Sequence, residues 1–265
     1  MVKLQVMIST MNMRDSLLEE MNINSDALVI NQCNKFDYEK ISFKNNIVEI
    51  FSFNERGLSR SRNNALLRCT GDILCIADDD VVYTDTYKED IINEFNKHPE
   101  ADAIIFNVST INGSRSAKEI TEFKRVGKRE SREYGSVHIA IKRDKLIFSN
   151  VYFNVLFGSG SKYSSGEDTI FLKELIERKL RVYKSPVKIG EVDMSNSTWF
   201  KGYDEKYFFD KGALIGATYP ELSYLLIVLQ ALRNSKSKLG SYKYFFKLFT
   251  WYNSGLSEYK KCKNR

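Results

Sequence analysis

Three consecutive aspartates, Asp78, Asp79 and Asp80, follow directly on the apolar run Ile73 to Ala77. Adjacent carboxylates repel one another, and holding them beside a buried strand is costly unless a cation compensates. A hard divalent ion, Mg²⁺ or Mn²⁺, suits an all-oxygen set and in turn binds phosphate oxygens. The competing reading is an acidic loop or helix cap. A second cluster is Asn54-Glu55-Arg56-Gly57-Leu58-Ser59-Arg60-Ser61-Arg62-Asn63-Asn64-Ala65. Gly57 permits a turn, Ser59 opens a helix whose N-terminus favours anions, and Arg60 or Arg62 offers a guanidinium to phosphate. An ordinary capped basic helix has the same residues. In the third cluster, Phe157-Gly158-Ser159-Gly160 precedes Gly166-Glu167-Asp168-Thr169. Acids at a helix start favour the helix electrostatically, which is the plain reading of Glu167 and Asp168. The glycines do not form a dinucleotide fingerprint, because the next one after Gly160 is Gly166 and no suitable strand and acidic partner follow.

The elements that must position these clusters follow from periodicity. Val2, Leu4, Val6 and Ile8 alternate with Lys3, Gln5 and Met7 as a strand does, and Asp15 to Met21 has a helical pattern. Short apolar runs recur at Ala27 to Ile30, Ile47 to Phe51, Ile73 to Ala77 and Ala103 to Val108. Helices are predicted over Ser59 to Arg68, capped by the serine, over Thr84 to Asn96 ahead of Pro99, and over Asp168 to Arg178. A further strand is predicted over Val137 to Ile141. This alternation predicts an α/β fold with a mainly parallel sheet. In such a sheet, ligands gather beyond the carboxyl ends of the strands, where Ser9, Thr10, Asn31 and the aspartate run all fall. The stretch Gly113 to Tyr134 is dense in both charge signs and is predicted to be a solvated helix or mobile loop, with an acceptor-binding lid as the alternative.

The 265 residues, 43% hydrophobic and 28% charged, can bury a full core. Residues 1–10 lack the basic and long apolar regions of a signal peptide, so a cytoplasmic location is expected. Cys33, Cys69, Cys75 and Cys262 are scattered and suit buried free thiols rather than disulfides or zinc. The net charge of +6 suits phosphorylated ligands, nucleic acid or an anionic membrane without choosing among them. From Tyr219 onward the chain mixes leucines, aromatics and lysines. Its apolar run is too short to span a bilayer, which leaves bilayer docking, helix packing or dimerisation. His98 and His138 read as structural.

Taken in order, the three clusters resemble family 2 glycosyltransferases of the GT-A fold. The resemblance covers residues 1 to about 215, a GT-A domain, with 216–265 as a helical aromatic and basic extension. It implies an Asp-x-Asp-type motif in Asp78 to Asp80, of ambiguous register, with Asp80 and Asp78 on the metal and Asp78 or Asp79 nearer ribose and phosphates. Gly57, Arg60, Arg62 and Asn63 then line the donor pocket, and Ser9, Thr10, Asn12 and Asn31 hold the nucleotide, although simple turn-forming side chains would look alike. Asp168 becomes the base of an inverting transfer from a UDP-sugar to a carbohydrate hydroxyl, with Glu167 orienting the acceptor or supporting the loop. Relatives often carry a histidine where this chain has Glu191, Val192 and Asp193, and Trp199 is placed to stack on a sugar or to pack in a core. Relatives with such tails build capsular or other surface polysaccharides on lipid-linked acceptors, with no nucleic acid involved. Two rivals stand beside this reading: a metal-dependent nucleotidyltransferase or phosphoesterase, which has no need of Asp168, and a non-catalytic sugar-nucleotide binding module.

Overall fold

The computed structural model describes residues 2–111, 119–193 and 202–263. They divide into two compact units, one of residues 2–111, 119–161 and 167–193, the other of residues 162–166 and 202–263. The first unit runs β1 (Leu4–Met11), α1 (Leu17–Glu20), β2 (Asp26–Gln32), β3 (Asp37–Phe43), β4 (Asn46–Phe53) and α2 (Leu58–Leu66). It continues with β5 (Ile73–Asp78), β6 (Val81–Tyr83), α3 (Tyr87–Lys97), β7 (Ala103–Ile111), β8 (Lys124–Arg125) and β9 (Ile139–Lys142). It closes with α4 (Arg143–Ser149), α5 (Glu167–Glu177) and β10 (Val182–Asp193). The helices of the second unit are α6 (Glu205–Thr218), α7 (Ser223–Ser237) and α8 (Phe245–Lys263).

The strands form one sheet in the order β3-β4-β2-β1-β5-β9-β7-β10-β6, with β8 on β10. The block β4-β2-β1-β5 is parallel, as expected of a nucleotide-binding half, and β7 is parallel to β10. The sheet as a whole is mixed, because β3, β6, β8 and β9 enter antiparallel. Alternation along each central strand explains the layering. Leu4, Val6 and Ile8 of β1 join Val29 of β2 and Cys75 of β5 in a core with α1 and α3. Met7, Leu28, Leu74 and Ile76 point the other way, into a second core with α2, α4 and α5.

Several sequence expectations shift by local chemistry. Gly57, at φ +120°, takes the N-cap position of α2, so Ser59 lies in the first turn and does not cap it. Ser59 Oγ instead donates to the Phe157 carbonyl at 2.7 Å. The strand expected from Val137 starts at Ile139, since residues Ser136–His138 make a 3-10 turn. The described part of the charged stretch carries the short strand β8 and a 3-10 turn, Glu130–Arg132.

In the second unit Phe208, Ile227, Ala231, Leu248, Tyr252 and Leu256 form a separate core. The boundary expected at 215–216 falls inside α6. Ser164 donates to the buried Asp210 through both its backbone N–H, at 3.0 Å, and its hydroxyl, and Lys206 pairs with the same carboxylate. These bonds fix the loop 162–166 that leads into Glu167. Among the described residues no helix is long and apolar enough to cross a membrane.

Candidate active site

The site is built at the carboxyl ends of three neighbouring strands. Ser9 of β1 lies level with Asp78 of β5 on one side and Ile30 of β2 on the other, and Thr10 is level with Asn31. The topology therefore gathers residues that are far apart in sequence. Helix α2 descends beside them and turns Arg62 inward, where it is only 3% exposed.

Arg62 is the junction. Its Nη2 reaches both oxygens of Asp78 at 2.9 and 3.0 Å, while Nη1 donates to Asp168 Oδ1 at 2.8 Å. The same Nη1 lies 3.5 Å from Glu167 Oε1. One guanidinium thus ties together the strand-end acids, α2 and the start of α5. Phe153 lies under it at 5.2 Å, a cation–π contact. Asn63, next in sequence, exchanges two hydrogen bonds of 2.8 Å with the backbone of Phe153 and holds that ring in place. Arg60, two positions before Arg62, is exposed, because residues i and i+2 do not share a helix face. Of the two arginines considered for phosphate, Arg62 is engaged by carboxylates.

The other expected residues are brought to the same strand ends with different partners. Thr10 donates to Asp79 at 2.6 Å, and Ser61 donates to Ser9 at 2.9 Å. Asn31 accepts from the Met13 N–H at 2.9 Å and donates to Ser52 at 3.1 Å, so its amide organises the backbone around the site. Asn12 is exposed in the left-handed region at φ 51°. Gly57 packs against the glycine loop, with the Leu58 N–H donating to the Ser159 carbonyl at 2.9 Å. Gly158 needs its missing side chain: a Cβ there would sit 3.2 Å from Ser59 Oγ and 3.3 Å from Glu167 Cδ, at a φ of +105°.

Charge is unevenly matched here. Burial opposes the Arg62 charge, but Asp78, Asp168 and Glu167 outweigh it and push its pKa up. Burial, then repulsion from Asp168, raises Glu167 to about 7. Burial likewise raises Asp78 against the pull of Arg62. Asp80 is exposed, and burial of its carboxyl together with repulsion from Asp78 and Asp79 raises it to about 6. One arginine therefore faces an excess of carboxylates, and the balance calls for protons or another cation.

A measurable consequence follows for pH. Glu167 binds its proton more tightly when folded than its ordinary value of 4.5, so its contribution to stability is complete below that value. It is lost as pH rises through about 7. The unfolding temperature is expected to fall between pH 5 and 8, and Glu167→Gln to flatten that fall by an amount on the order of 2 kcal/mol. Thermal melts across this pH range check it; an unchanged slope in the variant would contradict the assignment.

Sequence reasoning did not find Phe153 or the second role of Asn63, since an aromatic under a guanidinium leaves no spacing signal. His138 is buried, and its Nδ1–H donates to the Phe106 carbonyl at 2.9 Å. Burial lowers its pKa, so it stays neutral and structural. Trp199 lies outside the described residues.

A parallel nucleotide-binding half that ends in an acidic cluster, backed by a buried arginine and a glycine loop, is the build of a GT-A transferase. The family model described as Glycosyl transferase family 2 matches residues 28–162, and the chain belongs to glycosyltransferase family 2. The match includes Arg62 and Asp78 to Asp80 and ends before Glu167. No curated protein matches the sequence. Among solved structures, residues 1–349 of S. aureus TarS with UDP-GlcNAc superpose with a TM-score of 0.65 at 13% identity, over 98% of this chain and 92% of that one. The same fragment with UDP gives 0.63 at 13% identity with the same coverage. Whole S. aureus TarS gives 0.63 at 14% identity over 97% of this chain and 55% of its own. At such identity the likeness is one of fold.

Proposed function

We propose that this protein is an inverting hexosyltransferase that moves a sugar from a UDP-sugar to a hydroxyl of a carbohydrate acceptor. The observation that carries the proposal is the Arg62 junction, which joins the donor-side acids to Asp168. Support for a UDP donor comes from the fold shared with a protein solved with UDP and UDP-GlcNAc. In this reading Asp168 is the base. Arg62 fixes its Oδ1, while Oδ2 has no hydrogen-bond partner among the described residues and takes the acceptor's proton. The acceptor oxygen bonds to the anomeric carbon as the bond from that carbon to the diphosphate oxygen breaks. Glu167, almost fully buried, supports the loop and keeps the site's charge in balance.

A hard divalent ion, Mn²⁺ or Mg²⁺, would be held here chiefly by Asp80. Asp78 is occupied by Arg62 and Asp79 by Thr10, and among the described residues no group of three or more His, Cys, Asp or Glu side chains gathers to hold a metal. One carboxylate plus substrate phosphates is a usual arrangement for such ions. The ion would offset charge on the departing diphosphate. Calorimetric titration of UDP tests this: Mn²⁺ is expected to tighten UDP binding at least about tenfold in the native protein and not in Asp80→Asn. Equal Mn²⁺ dependence in both proteins would remove Asp80 from the metal.

The acceptor we assign is a lipid-linked saccharide at the inner face of the plasma membrane, in the assembly of capsular or other surface polysaccharide. The family resemblance and the aromatic and basic α7–α8 region support that assignment.

A further inference from the structure

We infer that one face of α7 docks on an anionic lipid bilayer. Ser223, Ile227, Ala231 and Ser235 recur at every fourth position and are buried in the second unit. The opposite face carries Leu222, Leu225, Leu229 and Leu232, exposed by 54, 57, 51 and 48%. Their spacing of three, four and three residues makes one continuous stripe along the helix. Beyond α7, Tyr242 and Phe246 add exposed aromatic surface at 58 and 78%. Apolar area so concentrated on a short helix marks an interaction surface.

Charge selects the occupant. From Leu222 to Ser257 there is no Asp or Glu, while Arg233, Lys236, Lys238, Lys243 and Lys247 are all exposed. A soluble surface normally interleaves both signs. Leucines and aromatics bordered by lysines whose long stems can reach outward match the interface of a bilayer with anionic headgroups. A second copy fits less well. The leucine seam covers less than two heptads, where a coiled coil sustains three or four, and a partner copy would bring the same uncompensated lysines. With no spanning helix among the described residues, the contact is peripheral. This inference deepens the membrane-side acceptor proposed above and rests on that reading for its purpose. Turnover of a soluble acceptor reads the transferase reaction separately, so the two can fail independently.

The full chain is tested by co-sedimentation with vesicles of pure phosphatidylcholine and of equal parts phosphatidylcholine and phosphatidylglycerol. Binding is expected only to the anionic vesicles, weakening as salt is added. Leu225→Ser with Leu229→Ser is expected to lower the partition at least about tenfold, and Lys236→Glu with Lys238→Glu to do so comparably. All four sites are exposed, and Lys236 and Lys238 give up only cation–π contacts, with Tyr242 at 5.9 Å and Tyr203 at 4.7 Å, so both variants should stay folded, as melting temperatures check. Should the leucine variant unfold, the lysine variant decides. Partition that is absent in the native protein, equal on both vesicle types, or unchanged in the folded variants overturns the inference. So does a dimer by light scattering that the leucine variant dissociates.

Discussion

Replacing Asp168 by Asn is expected to cut acceptor-dependent sugar transfer by about 10²- to 10⁴-fold, the range general-base removal usually costs, while UDP affinity stays nearly unchanged. The asparagine keeps an oxygen for Arg62 Nη1, which donates to Asp168 Oδ1 at 2.8 Å in the native protein. The junction therefore persists and the loss falls on proton acceptance. Because UDP makes its contacts on the strand-end side in this reading, the deficit belongs in kcat and not in donor binding. Steady-state kinetics beside a UDP titration separate the two. Transfer that survives the substitution would take the base role from Asp168, and a parallel collapse of UDP affinity would make Asp168 a structural residue of the donor site.

Arg62 is expected to matter for folding as much as for turnover. Removing it strands Asp78, Glu167 and Asp168 without their shared cation, and breaking a buried pair in this way typically costs about 3–5 kcal/mol. The Asp78 and Asp168 side chains are 29 and 28% exposed, so water recovers part of that, and about 2–4 kcal/mol is the expected loss for Arg62→Met. For a chain of this size that is a drop of roughly 5–15 °C in melting temperature. Arg62→Lys should restore little, because an ammonium lacks the planar fork that reaches Asp78 on one side and Asp168 on the other. A melting temperature within a degree or so of native for Arg62→Met, on the same scale, would mean that the three acids do not depend on it.

The central strands were legible because both of their faces are buried. In β5, Ile73, Cys75 and Ala77 serve one core and Leu74 and Ile76 the other, which yields the apolar run read in the sequence. Strand β3 escaped that logic. Its residues Asp37 to Ser42 are exposed, and it is held by backbone pairing with β4, which leaves no hydrophobic period. Helix α2 was placed to within two residues, but its first-turn serine bonds to the distant Phe157 carbonyl, and no local rule foretells a tertiary hydrogen bond. The acidic run was visible as a cluster. The division of labour within it was not: which of Asp78, Asp79 and Asp80 meets Arg62, Thr10 or solvent depends on the pleat at the end of β5. In the sequence Arg62 stands beside Arg60 as a candidate for phosphate, because its carboxylate partners lie 16 and 106 residues away.

The most direct measurement is UDP release from a panel of nucleotide sugars, run with Mn²⁺ and saccharide acceptors on the native protein and on Asp168→Asn. The expected result is release from a UDP-sugar that rises with acceptor and is lost in the variant. No release from any UDP-sugar, or metal-dependent cleavage of nucleotides that Asp168→Asn leaves intact, would contradict a transferase built on the Arg62 junction and favour phosphoester chemistry at the aspartate run.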